Sequence, residues 1–235
     1  GRFAESENIR HKTMAHHHHL GKINHEQVAK NMMAITKLMR GDYEQACLLA
    51  QECKDNLGFI GENIVATTGA FELTVLGAVA LVQRHHQKAK MYLAESLKNL
   101  HRSTSFPPIL GRASAIAAMA ALWRDQPDEA EEHLQVVLEL VSTFRDYTAL
   151  IWALPAAALY LAKKEQGERA LTIFALAKQE PFVANAQWFA DVVGVPLAAV
   201  AAALPADTVA AAEARASELD KWETAVSLLQ ELTLP

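Results

Sequence analysis

The sequence predicts an all-α fold: a solenoid of antiparallel helix pairs closed by a C-terminal helical cap. Three observations predict it. A short polar turn ending in a small residue recurs along the chain, at Arg40–Ala46, Arg84–Ala89, Arg124–Ala130 and Glu165–Ala170, with a fainter copy at Gly1–Ser6. Anchored on Ser6, Ala46, Ala89, Ala130 and Ala170, the steps are 40, 43, 41 and 40 residues, a period typical of stacked helical repeats. A second small residue precedes each closing alanine by 12 positions, giving the pairs Ala34/Ala46, Gly77/Ala89, Ala118/Ala130 and Ala158/Ala170. Two helices joined by a short turn approach most closely near it, and small side chains permit that approach.

Composition agrees. The 235 residues are 51% hydrophobic and only 7% aromatic, so much of the apolar content is alanine, the best helix former. The length suits a stack of repeats better than one compact core. A net charge of −5 with no polybasic arm argues against direct nucleic-acid contact. The longest uncharged run, Tyr147–Ala162, falls short of the roughly 20 residues of a membrane helix and contains Pro155. No secretory signal is visible in the sequence given, and the expected location is the cytoplasm. Cys47 and Cys53 on one helix stand about 9 Å apart along its axis, too far for a disulfide, and read as thiols of a reducing compartment.

Taken in order, residues 1–19 read as the second helix of a repeat whose first helix lies upstream, so that the chain is expected to be a fragment of a larger polypeptide. Gly21, in Leu20-Gly21-Lys22-Ile23, ends that helix as its left-handed terminal residue, and the pattern returns at Leu57-Gly58-Phe59-Ile60. His16–His19 suit a helix C-terminus electrostatically, with an expression tag as the alternative. Adjacent helical histidines point apart and no carboxylate or cysteine is spaced to join them, so no metal site is expected. The first pair is expected at 25–39 and 43–56, the second at 63–83 and 87–101. A Ser/Thr/Pro loop follows at 103–108. The third pair is expected at 108–124 and 127–144, with Pro127 in the first helical position, and the fourth at 147–164 and 168–178. Pro155 should kink the first helix of that last pair or mark its start. Beyond residue 180 the period is lost. Shorter helices punctuated by Pro196 and Pro205 read as a cap over 181–235, after repeats over 1–180. Ala50, Leu93, Leu134 and Phe174, one turn beyond each closing alanine, would fill the space against the next repeat.

The 12-residue small–small spacing and the turn resemble the tetratricopeptide repeat, over about residues 1–180. The resemblance implies a right-handed superhelix that binds partners on the inner face of its first helices. The family's usual tryptophan slot holds Lys30, Leu73, Ser114 and Leu154 here, its tyrosine slot Lys37, Ala80, Ala121 and Leu161, and the period is longer than usual. The long period, the Leu-Gly-x-Ile loops and the stretch Pro181–Val192 are similar to the C-terminal repeat arms of bacterial signalling ATPases and transcriptional activators of the STAND type. That resemblance implies a sensor or autoinhibitory arm.

No catalytic pattern is present: no glycine-rich phosphate loop, Cys-x-x-Cys, His-Glu-x-x-His or Gly-x-Ser-x-Gly. No enzyme activity and no cofactor are expected. In the tetratricopeptide register the inner face carries Asn31, Ile35 and Met39, then Phe71, Thr74 and Val82, then Arg112, Met119 and Trp123, and finally Trp152, Leu159 and Lys163. Phe71, Trp123 and Trp152 would anchor a protein or peptide partner or a small ligand, and Arg112 and Lys163 would hold a carboxylate or phosphate. The bland reading is that the tryptophans fill core gaps left by alanines. The leading expectation is therefore a non-catalytic binding domain that regulates an attached ATPase or activator. The alternative is a structural oligomerisation module.

Overall fold

The structure is a computed structural model that describes the backbone of residues 2–55, 62–102 and 107–233. Every element among them is helical. The second Leu-Gly-x-Ile pattern and most of the predicted 103–108 loop lie outside the described residues. The chain divides into two compact units, residues 1–106 with 186–188, and residues 107–185 with 189–235.

In the first unit, α1 (Phe3–His19) lies on α2 (Ile23–Arg40) and buries no residue of its own. It is held by polar contacts: Arg10 Nε donates to Ser6 Oγ at 3.1 Å and to Thr36 Oγ1 at 3.2 Å, and Glu7 pairs with Arg40 and, at 2.5 Å, with Lys37. Helices α2 and α3 (Tyr43–Asp55) form one hairpin, and α4 (Glu62–Val82) and α5 (His86–Arg102) form the next, with α4 also packed on α2 and α3. Trp188, in the short α11 (Gln187–Phe189), is fully buried and donates its indole N–H to Ala78 O at 3.0 Å, tying residues 186–188 to α4.

The second unit holds two more hairpins, α6 (Pro107–Leu122) with α7 (Pro127–Phe144), and α8 (Tyr147–Lys163) with α9 (Gly167–Lys178). Asp146 caps α8 by accepting from Thr148 N at 2.8 Å and Ala149 N at 3.2 Å. The helix then runs unbroken through Pro155, and every residue from Ala149 to Leu161 is buried. The elements of the aperiodic stretch beyond residue 180 are all helical: α10 (Pro181–Ala184), the end of α11, a π-helix (Ala190–Gly194), α12 (Val195–Ala202), α13 (Ala206–Ala216) and α14 (Lys221–Thr233). It covers the hairpins from outside: α12 packs on α8 and α9, α13 on α9, and α14 on α7 and α8.

The repeat is visible in the turns. Gly41, Arg84, Asp125 and Glu165, each five residues before a closing alanine, all adopt left-handed φ, at 87°, 63°, 54° and 60°. Each following N–H returns to the carbonyl five residues earlier: Asp42 to Lys37, His85 to Ala80, Gln126 to Ala121 and Gln166 to Leu161. This is the Schellman closure, repeated four times. The same residue then starts the next helix, its carbonyl accepting from the closing alanine's N–H. Ala46, Ala89, Ala130 and Ala170 have no exposed surface. Gly77 shows why the small partner is needed, since a Cβ there would stand 2.7 Å from Leu93 Cγ. Leu93 thus seats on its own hairpin partner, where the glycine leaves it room.

Candidate binding groove

The sequence-predicted inner-face residues separate by burial. Phe71 (3% exposed) and Trp152 (1%) are core side chains. Trp152 packs at a tilt against Phe189 (5.0 Å) and Phe182 (6.2 Å), centroid to centroid, and the Arg112 guanidinium lies 5.7 Å from its ring centroid. Burial pushes Arg112 down to about 10, against the pull of Asp146, so it stays charged at neutral pH. Arg112 and Trp152 therefore form one internal cluster. The small-residue pairs are likewise packing positions: Ala34, Ala118 and Ala158 are buried with their partners.

Trp123 and Lys163 are brought together elsewhere. The C-terminal ends of α6 and α8 supply Leu122, Trp123, Leu159, Ala162 and Lys163, and α12 supplies Val195, Pro196, Ala199 and Val200. They line a groove of about 390 Å³, within the size range of small-molecule and side-chain pockets. Its wall is apolar except for Lys163. Trp123 is fixed as part of the wall because its indole N–H donates to Val192 O at 3.2 Å. That acceptor lies in the π-helix, a rare widened turn that frequently occurs at functional sites. Val195 at the rim is 56% exposed. Lys163 Nζ bonds Asp125 Oδ1 at 2.6 Å, which holds the Asp125 carboxyl below its ordinary range, but the two side chains are 42% and 81% exposed. Such a pair is screened by water and yields readily to a competing anion.

A second concavity, of about 400 Å³, lies between α9, α13 and α14. It is polar, and its cations are engaged: Arg169 holds both Glu231 oxygens at 2.7 and 2.9 Å, and Arg215 meets Glu168 at 3.2 Å.

Sequence reasoning did not find Val195, Pro196, Ala199 and Val200, because they fall in the aperiodic tail. Pro196 at a helix start was the available signal. Cys53 is buried and its thiol is pushed up to about 12 by burial and by Glu72, so it is no nucleophile. Among the described residues no three His, Cys, Asp or Glu side chains cluster to hold a metal ion, and no helix is long and apolar enough to cross a membrane.

The chain is thus an all-helical protein with an apolar groove in its second unit. No family model, curated protein or solved structure matches it.

Proposed function

We propose that this chain is a non-catalytic helical-repeat domain, a tetratricopeptide-like right-handed solenoid, that binds a protein or peptide partner through the groove formed by α6, α8 and α12. Four turns of identical hydrogen-bond pattern at a 40–43-residue spacing support the repeat architecture. The observation that carries the binding reading is the groove itself: apolar walls, a tryptophan locked in place by the π-helix, and one displaceable cation at the rim. Immobilised aromatic and aliphatic walls with a single charged group favour an apolar anchor residue beside a carboxylate. In keeping with the resemblance of the sequence to regulatory arms, the domain would act on an attached ATPase or activator in the cytoplasm. A partner that favours one state of the arm shifts the output only by its differential affinity for the two states.

The test is partner capture by the wild-type chain against Val195→Arg and Ala199→Arg, both exposed positions that leave the core untouched. The proposal expects captured polypeptides to be lost with both variants and kept with Arg169→Ala, which alters the polar concavity instead. Capture unchanged by either arginine removes the groove from the reading. An immunoblot of source cells adds the context: a band several times larger than 25.7 kDa agrees with a regulatory arm, and one near that mass rules it out.

A further inference from the structure

Helix α4 is buried without interruption from residue 69 to residue 81, and one residue of that stretch is a carboxylic acid. Glu72 has no exposed surface, and among the described residues neither of its oxygens has a hydrogen-bond partner. Among the described residues no cation pairs with it. From α2, Gln27 and Asn31 lie one turn apart on the same face, each 5% exposed, and their side-chain oxygens are unpartnered as well. The Asn31 amide is the one donor side chain that favours the charged form of Glu72, and it falls short of hydrogen-bond geometry. From α3 comes the buried Cys53 thiol, whose ionisation Glu72 opposes. The nearby cation, Lys30 of α2, is shared by two other carboxylates, Glu26 at 3.4 Å and Glu52 at 3.5 Å. From α5 the buried polar side chain is Ser96, already bonded to Ala70 O at 2.7 Å and Thr74 Oγ1 at 2.9 Å, and none of the described ionisable side chains of α5 is buried.

Neither Glu72 oxygen is compensated by a hydrogen bond or an ion pair among the described residues. An ionised carboxylate left here would carry an uncompensated charge in a dry seam, whereas the neutral acid supplies an O–H that an amide oxygen can accept. We propose that the seam between α2, α3 and α4 is a proton-operated latch, closed when Glu72 is protonated and loosened when it ionises. Burial pushes the Glu72 carboxyl from 4.5 up to about 7, which puts the switch near neutral pH.

The sign follows from linkage. A raised folded-state pKa contributes stability fully present below about 4.5, falling as pH rises toward 7 and flat above. Glu7, Glu26, Glu180 and Asp125 are shifted the other way, so their contributions are lost on acidification below the ordinary carboxylate range. His17, also lowered, opposes the Glu72 trend too. A comparison with Glu72→Gln cancels these terms.

The experiment is native-state hydrogen exchange of the α2 and α4 amides in the full chain, wild type against Glu72→Gln, from pH 5 to pH 8, corrected for intrinsic exchange. The proposal expects wild-type protection to fall relative to the variant as pH rises. The drop between pH 5 and pH 8 should approach about 70-fold, the part of the full ~300-fold pKa gap that falls in this window, and should level off above about pH 7. Parallel profiles overturn it. Should Glu72→Gln not fold, the side-chain carboxyl carbon of Glu72 is titrated by NMR in the wild-type chain. An inflection near pH 7 with a fall in α2 and α4 amide protection across it upholds the latch, and an inflection near 4.5, or protection unchanged across the inflection, overturns it.

Discussion

The described buried stretches of α4 (residues 69–81) and α8 (Ala149–Leu161) are equally long and buried in opposite ways. In α8 the buried stretch Ala149–Leu161 carries side-chain polar atoms on Trp152 and Tyr160 alone, and the Tyr160 hydroxyl donates to Glu131. In α4 the buried stretch 69–81 carries Thr74, satisfied by Ala70 O and Ser96, and Glu72, which is not satisfied. Near α8 the Arg112 guanidinium, buried among the described residues, has a tryptophan face to lie on and remains charged. Among the described residues of α4 the buried carboxyl, Glu72, has nothing comparable. A helix enclosed on all sides can thus be set permanently, by aromatic and alanine packing, or conditionally, by a group whose charge depends on the medium.

The strongest way to break the contrast is Trp152→Ala. The indole is 1% exposed and touches Phe189, Phe182 and Arg112, so its removal opens a cavity and uncovers a buried cation. A loss of about 3–5 kcal/mol is expected, the usual range for a large aromatic in a core. Urea unfolding measures the loss, and hydrogen exchange should place it in α6, α8 and α9. A loss below about 1 kcal/mol would mean that the aromatic cluster is not what sets α8.

A sharper comparison uses one glycine from each unit. A Cβ on Gly77 would meet Leu93 Cγ at 2.7 Å and its two methyls at 2.9 and 3.4 Å, whereas on Gly111 it would meet Ala149 Cβ at 2.8 Å and Ala149 Cα at 3.3 Å. Leucine can change rotamer, but the Ala149 backbone cannot turn aside. Replacing glycine by alanine inside a helix gains up to about 1 kcal/mol of intrinsic propensity, and overpacking costs about 1–3 kcal/mol. Gly111→Ala should therefore be destabilising by about 1–2 kcal/mol, and Gly77→Ala by less than about 1 kcal/mol. Thermal melts of the two variants check the order. The reverse order would mean that the α4–α5 contact is the more rigid.

The same contrast explains what the sequence made legible. Each hairpin turn was readable because one local arrangement, a left-handed residue and a buried alanine five positions on, recurs at Gly41/Ala46, Arg84/Ala89, Asp125/Ala130 and Glu165/Ala170. Local hydrogen bonds leave local traces. Which face of α4 or α8 points inward was not readable, because a helix buried all round has no polar stripe to mark a face. Phe71 and Trp152 thus entered the inner-face set although both are core residues. Glu72 escaped notice for a related reason: one acid in an apolar run gives no sign of which neighbour it will meet. Trp188, bonded to a carbonyl 110 residues earlier, was beyond any reading of local pattern. Of the groove, Trp123 and Lys163 were legible as candidates, and the α12 wall opposite them was not.

The smallest expected effect separates two roles of one residue at the start of α8. Asp146 accepts from two backbone N–H groups, and its charge also favours ionised Arg112. Asp146→Ala removes both and should cost about 1 kcal/mol, the usual value of an N-cap. Asp146→Asn keeps an acceptor at the cap and discards the charge. If the cap is what matters, asparagine should cost only a few tenths of a kcal/mol, since the two residues cap about equally well. If asparagine costs as much as alanine, the negative charge is needed to keep a buried guanidinium near Trp152. Chemical denaturation of the pair decides between them. In the second case the packing that sets α8 would itself rest on a charge, and its difference from α4 would be one of charge compensation.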